Sequence, residues 1–151
     1  MPLRQKPPPV ALMASPEDTE AQFYEALQQG DIDRLMAVWA DDDEIACVHP
    51  GGPRLVGAAA IRASFENIFA TGGIPVIPEQ VHRLHTMTTA VHHLAERITI
   101  TSAEGTQTAW VLATNVFVKT EQGWRLVVHH ASPGSVGEQP PVVGEPPSLL
   151  H

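Results

Sequence analysis

Cysteine is almost absent: Cys47 is the only one in 151 residues. A lone thiol cannot close an intramolecular disulfide, and Cys47 follows no metal-ligand spacing, which fits a reducing cytoplasm. Basic residues are scarce too, nine Lys and Arg against 17 Asp and Glu, for a formal charge of −8. Nucleic acids and anionic membranes are held by clustered Lys and Arg, and the nine here are scattered. No apolar run approaches the roughly 18 residues that a membrane span needs. Nucleic-acid and membrane partners are therefore not expected.

What remains is the composition of a globular protein, 43% hydrophobic and 17% charged. The length suits one domain with a proper core. Ten of the 14 prolines lie in residues 1–16 and 133–151. Proline fixes φ and removes a donor, so these tails continue a helix or sheet poorly. The sequence divides into a disordered leader over 1–14, a folded domain over 15–132 and a Pro-rich disordered tail over 133–151. The leader lacks the continuous apolar core of a signal peptide. Ten of the 17 acidic residues fall between Glu17 and Glu44 and read as solvated helix faces.

Ser15-Pro16-Glu17-Asp18 is a helix start, with a capping serine, proline in the first turn and two acids after it. Gly30 closes that helix and Asp31 caps a second, in which Ile32, Leu35, Met36 and Trp39 share a face. Glu44 to His49 reads as a short strand before the turn Pro50-Gly51-Gly52-Pro53. A third helix spans about Ala58 to Ala70 on the spacing of Ile61, Phe65, Ile68 and Phe69. Four strands follow, near 77–87, 90–101, 106–119 and 124–131, joined by tight links such as Glu121-Gln122-Gly123. The expected class is α+β, a cone-shaped curved antiparallel sheet with three helices on its concave face. Such a layer leaves room for an apolar pocket.

The order of motifs is similar to that of the nuclear transport factor 2-like superfamily, which includes ketosteroid isomerases and SnoaL-like polyketide cyclases. The resemblance rests on Gln22 to Asp31, Val38-Trp39-Ala40-Asp41-Asp42, Gly57 with Ile61, and Gly123-Trp124-Arg125-Leu126-Val127. It covers about Pro16 to Ser132. The ending Trp124-x-x-Val127-x-x-His130-x-Ser132 also resembles the hub domain of calcium/calmodulin-dependent kinase II. The resemblance implies a cystatin-like cone, usually in a homodimer. Ketosteroid isomerases use a helical tyrosine, an aspartate base on the first strand and a protonated aspartate on the penultimate strand. Here Phe23, Cys47 and Asn115 fall at those places, with Tyr24 one residue off register and His49-Pro50 replacing Asp-Pro if a gap is allowed.

The expected site follows from these positions. His49 ends a strand near the cone mouth and is a candidate general base. Asn115 and His130 are candidate hydrogen-bond donors to an enolate, facing one pocket if no bulge interrupts their ladder. Structural hydrogen bonds are the competing reading for both. Phe23, Tyr24, Trp39, Phe65 and Trp110 are expected to contact substrate, although aromatic residues serve more often as core. His82, His85, His92 and His93 sit on opposite strand faces in pairs, with no third ligand at a suggestive spacing, so no metal and no cofactor are expected. The expected function is cofactor-free isomerase, cyclase or dehydratase chemistry on a small hydrophobic molecule. The rival is a non-catalytic ligand-binding or oligomerisation module. Homodimerisation is expected through the outer sheet face, because the strand over 106–119 is apolar on both faces.

Overall fold

A computed structural model describes residues 13–134. The tail expectations for 1–12 and 135–151 lie outside these residues. Among these residues three α-helices and six strands follow in the order α1 (Pro16–Gln29), α2 (Ile32–Ala37), β1 (Ala46–Val48), β2 (Arg54–Val56), α3 (Ala58–Ile68), β3 (Val76–His85), β4 (Thr89–Ser102), β5 (Gly105–Thr120) and β6 (Gly123–Pro133). The strands form one sheet in the order β2-β1-β6-β5-β4-β3. Every neighbouring pair is antiparallel except β1 and β6, which run parallel.

The helix signals act locally as their chemistry requires. Ser15 Oγ accepts from the Asp18 backbone N–H at 3.1 Å, capping α1. Gly30 closes it in the left-handed region at φ 67. Helix α2 is shorter than the apolar spacing suggested. The Ala40 N–H donates to the Leu126 carbonyl and the Leu126 N–H to the Val38 carbonyl, both at 2.9 Å, so the sheet captures this backbone before Trp39 can join a helix. Strand β2 was not anticipated: the turn after His49 folds the chain back, pairing Cys47 with Leu55.

Helix α1 turns Thr19, Glu20, Phe23, Tyr24 and Leu27 onto the sheet. Phe23, Leu35, Ile45, Ile61, Phe65, Leu94, Phe117 and Leu126 make the centre of the core. Thr19 Oγ1 donates to the Trp124 carbonyl at 2.7 Å and fixes the helix against β6. The expected leader is packed at Met13, which is buried and whose carbonyl accepts from the Trp124 N–H at 2.7 Å. At the other end, the Gly134 N–H donates to the Trp110 carbonyl at 2.8 Å. Contacts with the sheet thus extend to Met13 and Gly134 among the described residues.

Gly123 holds the β5–β6 turn at φ 103, and a Cβ there would lie 2.6 Å from the Met13 carbonyl oxygen. Both the left-handed backbone and the close approach exclude a side chain. Gly123→Ala should therefore cost about 2 kcal/mol or more, read by urea denaturation. An unchanged midpoint would show that the Met13 segment gives way freely.

Candidate active site

A cavity of about 140 Å³ opens between the helices and the inner face of the sheet. Apolar side chains, among them Leu27, Phe65, Val76, Ile98 and Val111, supply most of its wall. Three polar groups interrupt that wall: His49, Glu96 and His129. An apolar cavity of roughly 150 Å³ holds a benzene-sized molecule, so the enclosed space suits a single small ring.

Glu96 reaches the cavity from β4, where Ala90, His92 and Leu94 share its face. It is buried, and its Oε2 accepts from the Tyr24 hydroxyl at 2.7 Å. Burial raises its pKa to about 7, with Tyr24 opposing that rise and the nearby Glu20 adding to it. Burial and the charge of Glu96 likewise hold the Tyr24 phenol well above its ordinary value. Tyr24 therefore remains a donor at any ordinary pH.

Asn115 connects this pair to the rest of the interior. Its Nδ2 donates to Glu20 Oε2 and to the Tyr24 hydroxyl oxygen, both at 3.1 Å. Its Oδ1 accepts from His129 Nδ1 at 2.6 Å. These contacts use both amide protons and place the His129 proton on Nδ1. His129 Nε2 then lies on the cavity side, 3.9 Å from Glu96 Oε2. Burial, with His49 and His130 nearby, lowers the His129 pKa to about 3, so the ring is neutral.

His49 is fixed differently. The Ser64 hydroxyl donates to the Ile61 carbonyl at 2.9 Å, so its oxygen accepts from His49 Nε2 at 2.9 Å. The His49 ring meets Phe65 edge-on at 4.9 Å, and burial lowers its pKa. Cys47 is buried, its thiol pushed up to about 12, which leaves it a small hydrophobe.

Of the residues expected to meet at one pocket, His49 and Phe65 line it. His130 does not: it is exposed on the outer face. The cause is a bulge in β6, where Val116 pairs with Val128 but Phe117 pairs with Leu126, leaving Val127 as the extra residue. The bulge reverses the alternation begun by Trp124 and Leu126, so His129 and Ala131 turn inward. Asn115 pairs with His129 and is fully buried behind the cavity wall as a satisfied amide. Phe23 packs behind the wall against His129, ring centroids 4.9 Å apart, and Tyr24 touches the site only through its hydroxyl on Glu96. Trp39 is core beside Leu126. Trp110 pairs with Arg97 on the outer face and cannot contact a ligand in this cavity.

Glu96 and His129 were missed from sequence. The signal for Glu96 was present, since it interrupts the inward alternation Ala90, His92, Leu94, Ile98, where a lone carboxyl must be buried.

The fold and this pocket define an α+β protein with a sheet-backed apolar cavity. A model of the SnoaL-like domain matches residues 17–135. The chain belongs to this family of nuclear transport factor 2-like proteins. A candidate calcium/calmodulin-dependent protein kinase type II association domain from Thiobacillus denitrificans is similar at 36% identity, over 81% of this chain and 97% of that one, with a TM-score of 0.74. A candidate dehydratase of the NTF2-like family from Streptomyces avermitilis shares 32% identity over 78% and 93%, with a TM-score of 0.70. An NTF2-like protein with a cystatin-like fold from Novosphingobium aromaticivorans, at 16% identity over 77% of each chain and a TM-score of 0.66, shares the fold. No curated protein matches the sequence significantly.

A buried carboxyl with a raised pKa is protonated in the folded chain and ionised in the unfolded one over the intervening pH range. Folded Glu96 thus loses stability as pH climbs from its ordinary 4.5 through about 7. Glu96→Gln keeps an acceptor for Tyr24 and removes the titration. Its stability relative to the natural protein should rise by on the order of 3 kcal/mol between pH 4 and pH 8, in denaturant titrations at both values. A difference independent of pH would contradict the raised pKa.

Proposed function

We propose that the pocket performs proton-transfer chemistry of the isomerase, cyclase or dehydratase kind on a small hydrophobic substrate, with Glu96 as general acid and base. The observation that carries this reading is the carboxyl of Glu96 on an apolar wall, its pKa near 7. A group poised near neutrality can remove a proton from one substrate atom and return it to another, and no cofactor is needed. His129 Nε2 offers a hydrogen-bond acceptor beside it, and His49 lines the same cavity. This moves the role of base from His49 to Glu96, and Asn115 becomes a positioning residue. The Streptomyces avermitilis relative favours elimination of water within this class. A cytoplasmic setting agrees with the buried, unpaired Cys47, and among the described residues no helix is long and apolar enough to cross a membrane.

The test is a small carbon acid whose elimination reports any base in an apolar pocket, the unsubstituted 1,2-benzisoxazole, whose size comes nearer that of this cavity. The natural protein should accelerate its opening with a rate that rises through about pH 7, and Glu96→Gln should lower that rate at least 100-fold. Equal rates for the two proteins would remove Glu96 from the chemistry.

A second reading, assembly, has its own observation in the outer sheet face. Leu84, Val91, Val116 and Val128 pair in one row across four strands. Leu84 is 71% exposed, and Ile77 and Leu112 on the same face are 44% and 43% exposed. An apolar face of this extent needs a partner, and a second copy covers it most simply. The Thiobacillus denitrificans association domain agrees with that reading. Light scattering at micromolar concentration should give a dimer, and Leu84→Asp with Leu112→Asp should give a folded monomer. A monomeric natural protein would exclude this interface.

A further inference from the structure

We infer that Glu17, His85 and His92 form a binding site for a first-row divalent transition-metal ion, apart from the pocket. His85 ends β3 and His92 lies in β4, where it pairs with Arg83 while His85 pairs with Ala90. The two histidines are therefore diagonal neighbours on the inner face. Their Nε2 atoms are 2.9 Å apart. Glu17, in the first turn of α1, brings its Oε2 to 3.2 Å from each of them. The third ligand absent from the strand pattern thus comes from the helix, 68 residues before His85 in the sequence.

The spacing is that of a coordination sphere. Three donors on a tetrahedral ion with bonds of about 2.0–2.1 Å stand roughly 3.3 Å apart, close to the triangle seen here. Two Nε2–H groups could both donate to Glu17, but their hydrogens would then face each other across 2.9 Å, and a single Nε2–H would have to be shared between the other ring and the carboxylate. A cation satisfies all three. The surroundings also fit. His92 is fully buried, and its Nδ1 lies 3.0 Å from Glu20 Oε2, off the line of a hydrogen bond. A ligating histidine is usually supported by a carboxylate that accepts from its far N–H, and Glu20 stands within reach of that role without being aligned for it. Glu17 and His85 are 44% and 36% exposed at their side chains, so water can complete the sphere. Arg83 Nε is 4.0 Å from the same Glu17 oxygen and competes with the ion. Two imidazoles and one carboxylate suit zinc, cobalt, nickel or ferrous iron, and suit magnesium or calcium poorly.

Untagged full-length protein is titrated with Zn²⁺ by calorimetry and with Co²⁺ by visible absorption, and its melting is followed with and without Zn²⁺. The expected result is saturable one-to-one binding of both ions, d–d bands for Co²⁺, and a rise in Tm of about 5 °C at a large excess of Zn²⁺ over Kd. Mg²⁺ should give none of these. His85→Ala and Glu17→Gln change partly exposed side chains and should weaken Zn²⁺ at least tenfold, whereas His82→Ala and His93→Ala, on the outer face, should leave it unchanged. The inference is overturned if the natural protein shows no saturable binding, if Mg²⁺ binds as well as Zn²⁺, or if the His85 and Glu17 variants bind as tightly as the parent.

Discussion

Two carboxyl groups, Glu20 and Glu96, are buried between the first helix and the sheet, and one amide, Asn115, keeps that arrangement tolerable. Charge in a low-dielectric interior is costly unless donors meet it or a proton neutralises it. The structure uses both remedies. Glu20 receives an N–H of Asn115. Glu96 receives the Tyr24 hydroxyl and has its pKa lifted to about 7. Because Tyr24 also accepts from Asn115, and His129 donates to it, five side chains from α1, β4, β5 and β6 must be placed together. Such networks specify one packing more sharply than apolar contacts do. The seat of α1 on the sheet, the tautomer of His129 and the proton affinity of Glu96 all follow from it.

The same network explains which parts of the molecule the sequence reveals. Local signals are legible because their physics is local: the Ser15 cap, the Gly30 stop and the tight turn at Gly123 each depend on a few neighbouring atoms. Strand alternation is legible wherever the ladder is regular, as along β4 and β5. It fails in β6, where the unpaired Val127 reverses the faces and exchanges His129 for His130. A bulge depends on partners across the ladder and on how the strand must curve, neither of which has a composition. Likewise, Phe23 and Tyr24 are neighbours in sequence, but the difference between them rests on which ring finds a polar partner. Tyr24 finds Glu96, 72 residues away. Glu17 meets His85 and His92 in the same way, through the docking of a helix rather than any spacing along the chain.

Glu96 and His129 set opposite demands on the fold. His129 is neutral when folded, with a pKa near 3 against an ordinary 6.5, so acid unfolding gains a proton and stability falls as pH drops below 6.5. Glu96 does the reverse, losing stability as pH rises from 4.5 through about 7, after which its contribution levels off. Between these limits the two slopes oppose one another, and neither end of the range relieves both groups. Above pH 7 the carboxylate form of Glu96, the form able to accept a proton, is the one that burial disfavours. A side chain chosen for stability alone would be apolar here, like the Leu94 beside it in the same inward row. The cost of keeping a carboxyl at this position is concentrated on the one wall of the fold that faces a cavity, where strained or desolvated groups have a use.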